Sequence, residues 1–182
     1  MEKKFVKGTL LIAMPMLNDP NFCQTVVLIC NDTPEGVLGL VLNRPTEVTV
    51  STLIHDFPNL TGGERIYEGG PLAKNGMLVL CRGDNDPEDN IIENISFAKD
   101  LEALQQLDAN RLSTEIRCYL GYAGWKPGQL ESEIKTGAWE TVSANATLIF
   151  DADSTLLWPQ LMRRLGKQWA FYATMPIDPT MN

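Results

Sequence analysis

The sequence is poor in the residues that bind metals and transfer protons. Its 182 residues include one histidine, His55, and four widely spaced cysteines, at positions 23, 30, 81 and 118, with no C-x-x-C pair. Because a structural zinc site needs four such ligands at short spacings, we expect no bound metal. Cys30, Cys81 and Cys118 fall in apolar runs, which favours buried thiols in a reducing cytosol.

Motifs of common enzyme classes are also missing. The sequence contains no G-x-S-x-G, no P-loop, no G-x-G-x-x-G and no H-E-x-x-H. We therefore expect no cofactor and assign no catalytic residue, and we favour a protein without enzymatic activity. Two catalytic alternatives stay open. Cys23 or Cys81 could meet His55 in space, or the carboxylates at positions 68, 131 and 133 could form an acid–base site.

Positive charge is scarce as well. The formal net charge is -8 and the sequence pI is about 4.6, a field that repels nucleic-acid phosphates and anionic lipid heads. The cluster of Arg163, Arg164 and Lys167 is typical of the last turn of a helix. No apolar run approaches the roughly 20 residues of a membrane span, and no signal-peptide cleavage site follows the basic N-terminus. We expect a cytoplasmic protein that binds neither nucleic acid nor membrane.

The remaining composition predicts one domain over residues 1–182. Hydrophobic residues make up 44% of the chain, enough for a substantial core, and the tail over 175–182 is expected to fray. Apolar runs bounded by turn residues predict about seven strands, including a hairpin formed by 25–30 and 37–43 and a buried strand over 146–153. Helices are predicted over 50–57, 97–110, 126–137 and 154–166. Strands cluster near the start, so the fold class is α+β with a mixed sheet.

The segment YLGYAGWKPGQLESEIKTGAWE, at 119–140, is the most densely specified part of the chain. Its glycines, Trp125 and Trp139 suit a strand–turn–helix corner, and Gly137 suits a left-handed helix end. Gln129 and Glu131 in the first turn of the helix suggest instead a polar pocket near unpaired N–H groups. The packing corner is favoured, and the ligand pocket stays open.

Two further stretches allow a structural and a functional interpretation. Arg44, at the end of a predicted strand, either pairs with Glu68 or Glu131, which is favoured, or binds an anionic ligand. Gly69 and Gly70 form either a tight turn, which is favoured, or a nest of N–H groups. The functional interpretations combine into one small-ligand pocket. Its residues are Arg44, Gly69, Gly70, Trp125, Gln129 and Glu131.

These motifs together resemble the YqgE/AlgH family of bacterial proteins, also called UPF0301 or DUF179. The resemblance rests on GTLLIAMP, GLVLNRP, GGP and GYAGW-x-x-GQLE, in this order, and covers about residues 8–166. It implies a single α+β domain, with a bifurcated sheet folded into a pseudo-barrel and about four peripheral helices. Many members look like Glu-His where this chain has Asn31 and Asp32, so a mechanism that uses that histidine would be absent.

The resemblance implies no established reaction, although the name of one branch is tied to alginate synthesis and suggests an indirect role in transcription. We therefore predict a non-enzymatic binding or regulatory protein with a small anionic ligand. The alternatives are an enzyme with a carboxylate or Cys–His site, and a scaffold that binds a protein partner through an exposed apolar patch.

Overall fold

Strands dominate the computed structural model, which describes residues 7–50, 56, 60–61, 65–83, 90–98, 102, 105–106, 109 and 114–176. The described strands are β1 (Thr9–Ala13), β2 (Val26–Thr33), β3 (Gly36–Val41), β4 (Pro45–Thr49), β5 (Leu60–Thr61), β6 (Arg65–Glu68), β7 (Leu72–Arg82), β8 (Asn90–Ile92), β9 (Ile95–Ala98), β10 (Thr114–Trp125) and β11 (Trp139–Ser143). The helices with defined bounds are α1 (Gln129–Lys135), α2 (Ser154–Leu165) and α3 (Lys167–Ala170), with a π-helix at Thr147–Asp151 and a 3-10 helix at Tyr172–Thr174. Among these residues, no helix combines the length and the apolar character needed to cross a bilayer.

The strands form one mixed sheet that forks at β10. The main path runs β11-β1-β2-β3-β10-β7-β9-β8, and β4 and β6 branch from it. The first part of β10 pairs in parallel with β5 and β6 and antiparallel with β7, whereas its last three residues pair with β3. The predicted α+β class with a mixed, bifurcated sheet is therefore confirmed.

Glycines make the fork possible because two backbone segments meet there without side chains between them. Gly121 has φ +72° at the bulge of β10, and Gly70 has φ +151°. A Cβ atom on Gly70 would lie 2.2 Å from the carbonyl carbon of Tyr122. Gly69 ties both halves together, since its N–H donates to Leu120 O (2.8 Å) and its carbonyl accepts from Val41 N–H (2.9 Å).

Within the described part of the chain, buried side chains form three clusters on the faces of this sheet. The largest joins β1, β2 and β3 to the π-helix and α2. Within it, the buried indole of Trp158 donates from Nε1 to Ala13 O (2.8 Å), which fastens α2 to β1. A second cluster packs α1 and the two tryptophans Trp125 and Trp139 against the opposite face. The third lies between β6, β7 and β10.

The predicted strand over 146–153 is wrong, because this segment contains the π-helix. Leu148, Ile149 and Phe150 are all apolar and buried. In the sequence, such a short apolar run cannot be distinguished from a buried strand. Arg117 on β10 reaches across to this segment and donates from Nη1 to Ile149 O (2.6 Å) and from Nη2 to Phe150 O (3.0 Å). A distant guanidinium thus satisfies carbonyl groups at the end of the helix, and local sequence carries no sign of it.

Some of the other predicted elements are confirmed by the structure, and others are not. The hairpin of β2 and β3, the short helix α1 and the helix α2 are confirmed, and Gly137 has the expected left-handed conformation (φ 80°). The helix over 97–110 begins too early, because Phe97 belongs to β9, although residues 102, 105, 106 and 109 are helical. Strands β4, β5, β8, β9 and β11 were not predicted. Most of the helix predicted over 50–57, including His55, and most of the loop at 83–90 lie outside the described residues.

The fork yields a test on two glycines with different surroundings. We expect Gly70→Ala to lower the free energy of unfolding by about 3 kcal/mol or more, because backbone strain and a clash with the Tyr122–Ala123 peptide add together. Gly128→Ala should cost only about 1 kcal/mol, since Gly128 is also left-handed (φ +77°) but has no atom within 4 Å of the added methyl. Urea denaturation of both variants measures the difference. Equal losses would show that close approach does not matter at the fork.

Candidate functional site

The structure does not bring the six predicted pocket residues into one cavity. Arg44 lines a groove of about 920 Å³, whereas Trp125 and Gln129 line a separate cavity of about 530 Å³. These two cavities have no residue in common, and three of the predicted residues line neither of them. Those three are Gly69, Gly70 and Glu131.

The glycine pair serves the fold. Gly69 and Gly70 are buried, and the N–H of Gly69 is already bonded to a strand carbonyl. A Cβ on Gly69 would lie 2.3 Å from Gly121 O, so the pair is required by close backbone packing. The sequence interpretation of an anion-binding nest is therefore wrong at Gly69, and the favoured structural role explains both residues.

The dense corner at 119–140 is organised by a carboxylate that the pocket prediction omitted. Glu133 Oε2 accepts hydrogen bonds from the indole Nε1 of Trp125 (2.9 Å) and of Trp139 (2.8 Å). Its Oε1 accepts from Gln129 Nε2 (2.8 Å), while Gln129 Oε1 accepts from the backbone N–H of Lys126 (3.1 Å). Gln129 thus completes a hydrogen-bond network within the chain. The favoured interpretation as a packing corner agrees with this geometry.

A sequence signal for Glu133 existed. Buried indole N–H groups need an acceptor, and a corner with two tryptophans needs an acceptor for both of them. Glu133 follows Gln129 by four residues and therefore lies on the same face of α1. The edge-to-face contact of the Trp125 and Trp139 rings, with centroids 5.9 Å apart, places both N–H groups within reach of this one side chain.

The groove lined by Arg44 is larger than the cavity lined by Trp125 and Gln129, and it lies between several loops and α2. Its lining comes from residues 15–24, from 43–46 after β3, from Glu68 at the end of β6, and from the first turns of α2. We call this cavity the Arg44 groove. Its volume lies within the roughly 300–1,000 Å³ range of small-molecule sites.

Arg44 has no ion-pair partner among the described carboxylates. Its Nη2 donates to Cys23 O (3.1 Å). The predicted pairing with Glu68 or Glu131 is wrong. Glu68 accepts from Lys74 Nζ instead (2.8 Å), although its backbone N–H does bind Arg44 O (2.8 Å).

The wall beside Arg44 is held by the side chains of Asn43 and Thr46, which flank Arg44 and bind backbone groups of other segments. Asn43 accepts from Val26 N–H (2.8 Å) and donates to Gln24 O (2.9 Å), which fixes the chain between these residues. Gln24 itself has φ 53°, an unusual conformation for a residue with a side chain. Thr46 donates to Ile66 O (2.7 Å) on β6. These contacts position the groove before any ligand arrives.

The cysteines divide by exposure. Cys30, Cys81 and Cys118 are buried, as the sequence predicts, while Cys23 is half-buried and lines the Arg44 groove. Burial raises the pKa of Cys118 to about 12 and raises that of Cys30 further, so neither thiol is reactive near neutral pH. His55 lies outside the described residues, so a Cys–His pair remains a hypothesis. No cluster of metal ligands occurs in the part of the chain that the structure describes.

The tryptophan corner predicts a strong asymmetry between two glutamates of α1. Glu133→Ala should lower the free energy of unfolding by about 3 kcal/mol, because two indole N–H groups lose their acceptor. Glu131→Ala, on the exposed side of the same short helix, should change it by no more than about 0.5 kcal/mol. Glu133→Gln keeps one acceptor oxygen and should fall between them. Chemical denaturation followed by tryptophan fluorescence checks the order, and equal values for the two alanine variants would contradict it.

Comparison with known proteins agrees with this fold along nearly the whole chain. A crystal structure of a protein from Corynebacterium diphtheriae superposes with a TM-score of 0.76 at 24% identity, covering 96% of this chain and 95% of that one. The solution structure of the AlgH protein from Pseudomonas aeruginosa gives a TM-score of 0.68 at 28% identity, covering 97% of both chains. The curled, mainly antiparallel sheet with a few helices is shared with these structures.

Sequence relatives point to the same group. A UPF0301 protein of Thermobifida fusca is 37% identical over 100% of this chain and 98% of its own length. A UPF0301 protein of Chlorobium luteolum is 35% identical over 99% of this chain and 96% of its own length. The family model described as AlgH-like, DUF179, matches residues 10–170. With the sheet, the motifs and these relatives in agreement, the chain belongs to the AlgH-like (DUF179, UPF0301) family.

Proposed function

We propose that this protein is a non-enzymatic binding module that takes a small anionic ligand in the Arg44 groove. The observation that carries the proposal is an arginine that forms no ion pair with a described carboxylate and that lines a cavity of about 920 Å³. A guanidinium has five N–H donors, and the bond to Cys23 O uses one of them. The others can form paired, charge-assisted bonds to a carboxylate or phosphate.

The surroundings of Arg44 favour binding over catalysis. Of the two acids that line the groove, Glu68 is paired with Lys74, and Asp19 accepts from Asn21 N–H (2.8 Å) and Asn21 Nδ2 (2.9 Å). The tryptophan corner offers no free carboxylate at Glu133, which accepts three hydrogen bonds. A binding role needs only the positioned guanidinium and the cavity, both of which are present.

Regulation is the cellular role that we attach to this binding site. With a net charge of -8, direct contact with nucleic acid is disfavoured, so any effect on transcription would pass through a ligand or a protein partner. A cytoplasmic location fits such a role and remains part of the proposal.

The role of Arg44 can be tested by thermal shift with inorganic phosphate and a panel of small carboxylates. An anion present at 100 times its dissociation constant should stabilise the wild-type protein by about 2.7 kcal/mol. Arg44→Ala should abolish this gain, and Arg44→Lys should reduce it, because lysine lacks the planar fork. Arg163→Ala, which removes an exposed arginine from α2, is the control and should respond like the wild type. Equal stabilisation of Arg44→Ala would refute the site.

Cys23 provides a chemical readout of the same groove. Iodoacetamide should alkylate Cys23 in the native protein well before Cys30 or Cys118, which become reactive on unfolding. A saturating anion should slow the alkylation of Cys23, because both groups line one cavity. Peptide mass spectrometry over a time course measures the rates. If an anion that stabilises the protein leaves the Cys23 rate unchanged, it binds elsewhere.

A further inference from the structure

The lining of the Arg44 groove indicates the chemical class of the ligand. We propose that the ligand is an amphiphile, with a single carboxylate or phosphate head bound by Arg44 and an apolar body that lies along the wall of the groove. This inference rests on the proposed function and narrows it to one chemical class. It follows from three features of the lining, namely its carbon-rich surface, its occupied polar groups and its charge.

The wall of the groove is largely carbon. Six apolar residues contribute to it, four of them prolines, whose rings are rigid and present no N–H donor. Trp158 adds no free polar group, because its indole N–H is bonded to Ala13 O (2.8 Å) inside the protein. The six are Pro15, Leu17, Pro20, Pro45, Trp158 and Pro159.

Most neutral polar side chains of the lining are already hydrogen-bonded within the chain. Gln24 Nε2 donates to Met175 O (3.1 Å), and the Asn43 amide bonds through both its oxygen and its nitrogen. Thr46 donates to Ile66 O (2.7 Å), and Thr155 donates to Asp153 Oδ1 (2.6 Å). A sugar or nucleotide needs many available donors and acceptors, so this lining suits an apolar body better.

The charge of the lining selects one anionic head. Among the described lining residues, Arg44 is the cation, and both acids are engaged by other partners. One guanidinium matches one carboxylate or phosphate group in a bidentate arrangement. A ligand with several separated negative charges would place some of them near the carboxylates of Asp19 and Glu68. The lining has no second cation among the described residues to neutralise those ligand charges.

Two exposed apolar residues adjoin residues of the lining. Leu156, which is 49% exposed, follows the lining residue Thr155 on α2. Met175, which is 42% exposed, is held next to the lining residue Gln24 through its carbonyl group. The apolar body can therefore extend past the wall along these two side chains.

Calorimetric titration with straight-chain alkyl carboxylates and alkyl phosphates, kept below their critical micelle concentrations, tests the proposal. Each added methylene should tighten binding by up to about fourfold until the wall is filled. Comparison of the two series identifies the preferred head. Arg44→Ala should lose binding of both series. Alkylammonium ions of the same lengths should not bind, because their head carries the charge of Arg44.

Variants of the wall separate the apolar contact from the head. Leu17→Ser should weaken long-chain ligands several-fold while leaving acetate and inorganic phosphate unchanged. Leu156→Ser changes an exposed side chain and should weaken binding of the ligands with the longest alkyl chains, without disturbing the core. Val48→Ser is the matched control, since Val48 is 54% exposed and does not line the groove. Urea denaturation confirms that each variant is folded.

The outcomes separate this inference from the proposed function. If no anion of any length binds the wild type, the proposed function itself fails. If short anions bind through Arg44 but affinity does not rise with chain length, the amphiphile is wrong while the anion site stands. Equal binding of alkylammonium ions, or a chain-length effect that survives Arg44→Ala, would overturn the proposal by showing non-specific adsorption.

Discussion

The contact between Gly69–Gly70 and the bend of β10 at Gly121 is the constraint on which the rest of the structure depends. Two backbones can pass this closely only where no Cβ separates them, and this contact lets β10 serve both halves of the forked sheet. The bonds from Val41 N–H to Gly69 O and from Glu68 N–H to Arg44 O then join the ends of β3 and β6. The Arg44 groove is built at this junction, so the fork and the candidate site share one origin.

Three arginines show how their surroundings separate structural from functional roles. Arg82 is bonded to Glu115 and Asp151 and lies over the ring of Phe150, 5.0 Å from its centroid. Arg117 binds two carbonyl groups of the π-helix segment, and its guanidinium stacks over Tyr67 at 4.9 Å. Both charges are used to hold that segment against β10. Arg44 has no carboxylate partner among the described residues, and its guanidinium donates to the carbonyl of Cys23, which leaves its other N–H donors available for a ligand.

Local sequence patterns predicted the elements whose conformation depends on neighbouring residues. The turn of the β2–β3 hairpin, the glycine at the end of α1 and the amphipathic α2 all follow from neighbouring residues. The π-helix could not be predicted, because Arg117, about 30 residues away, satisfies its carbonyl groups. The groove was only partly predicted for the same reason: Arg44 was identified, but the predicted pocket joined it to Trp125 and Gln129. Which cavity each side chain lines depends on how β10 bends. That bend results from contacts between residues far apart in the chain, which cannot be deduced from local sequence patterns.

The central place of β10 has a consequence for synthesis on the ribosome. Strand β3 pairs with the last residues of β10, Ala123–Trp125, and β1 pairs with β11, which ends at Ser143. The N-terminal hairpin therefore emerges with an apolar edge whose partner is translated about 80 residues later. Until that partner has been synthesised, the unpaired edge can pair with other chains, so the nascent chain is exposed to aggregation for longer than a fold built from local contacts would be.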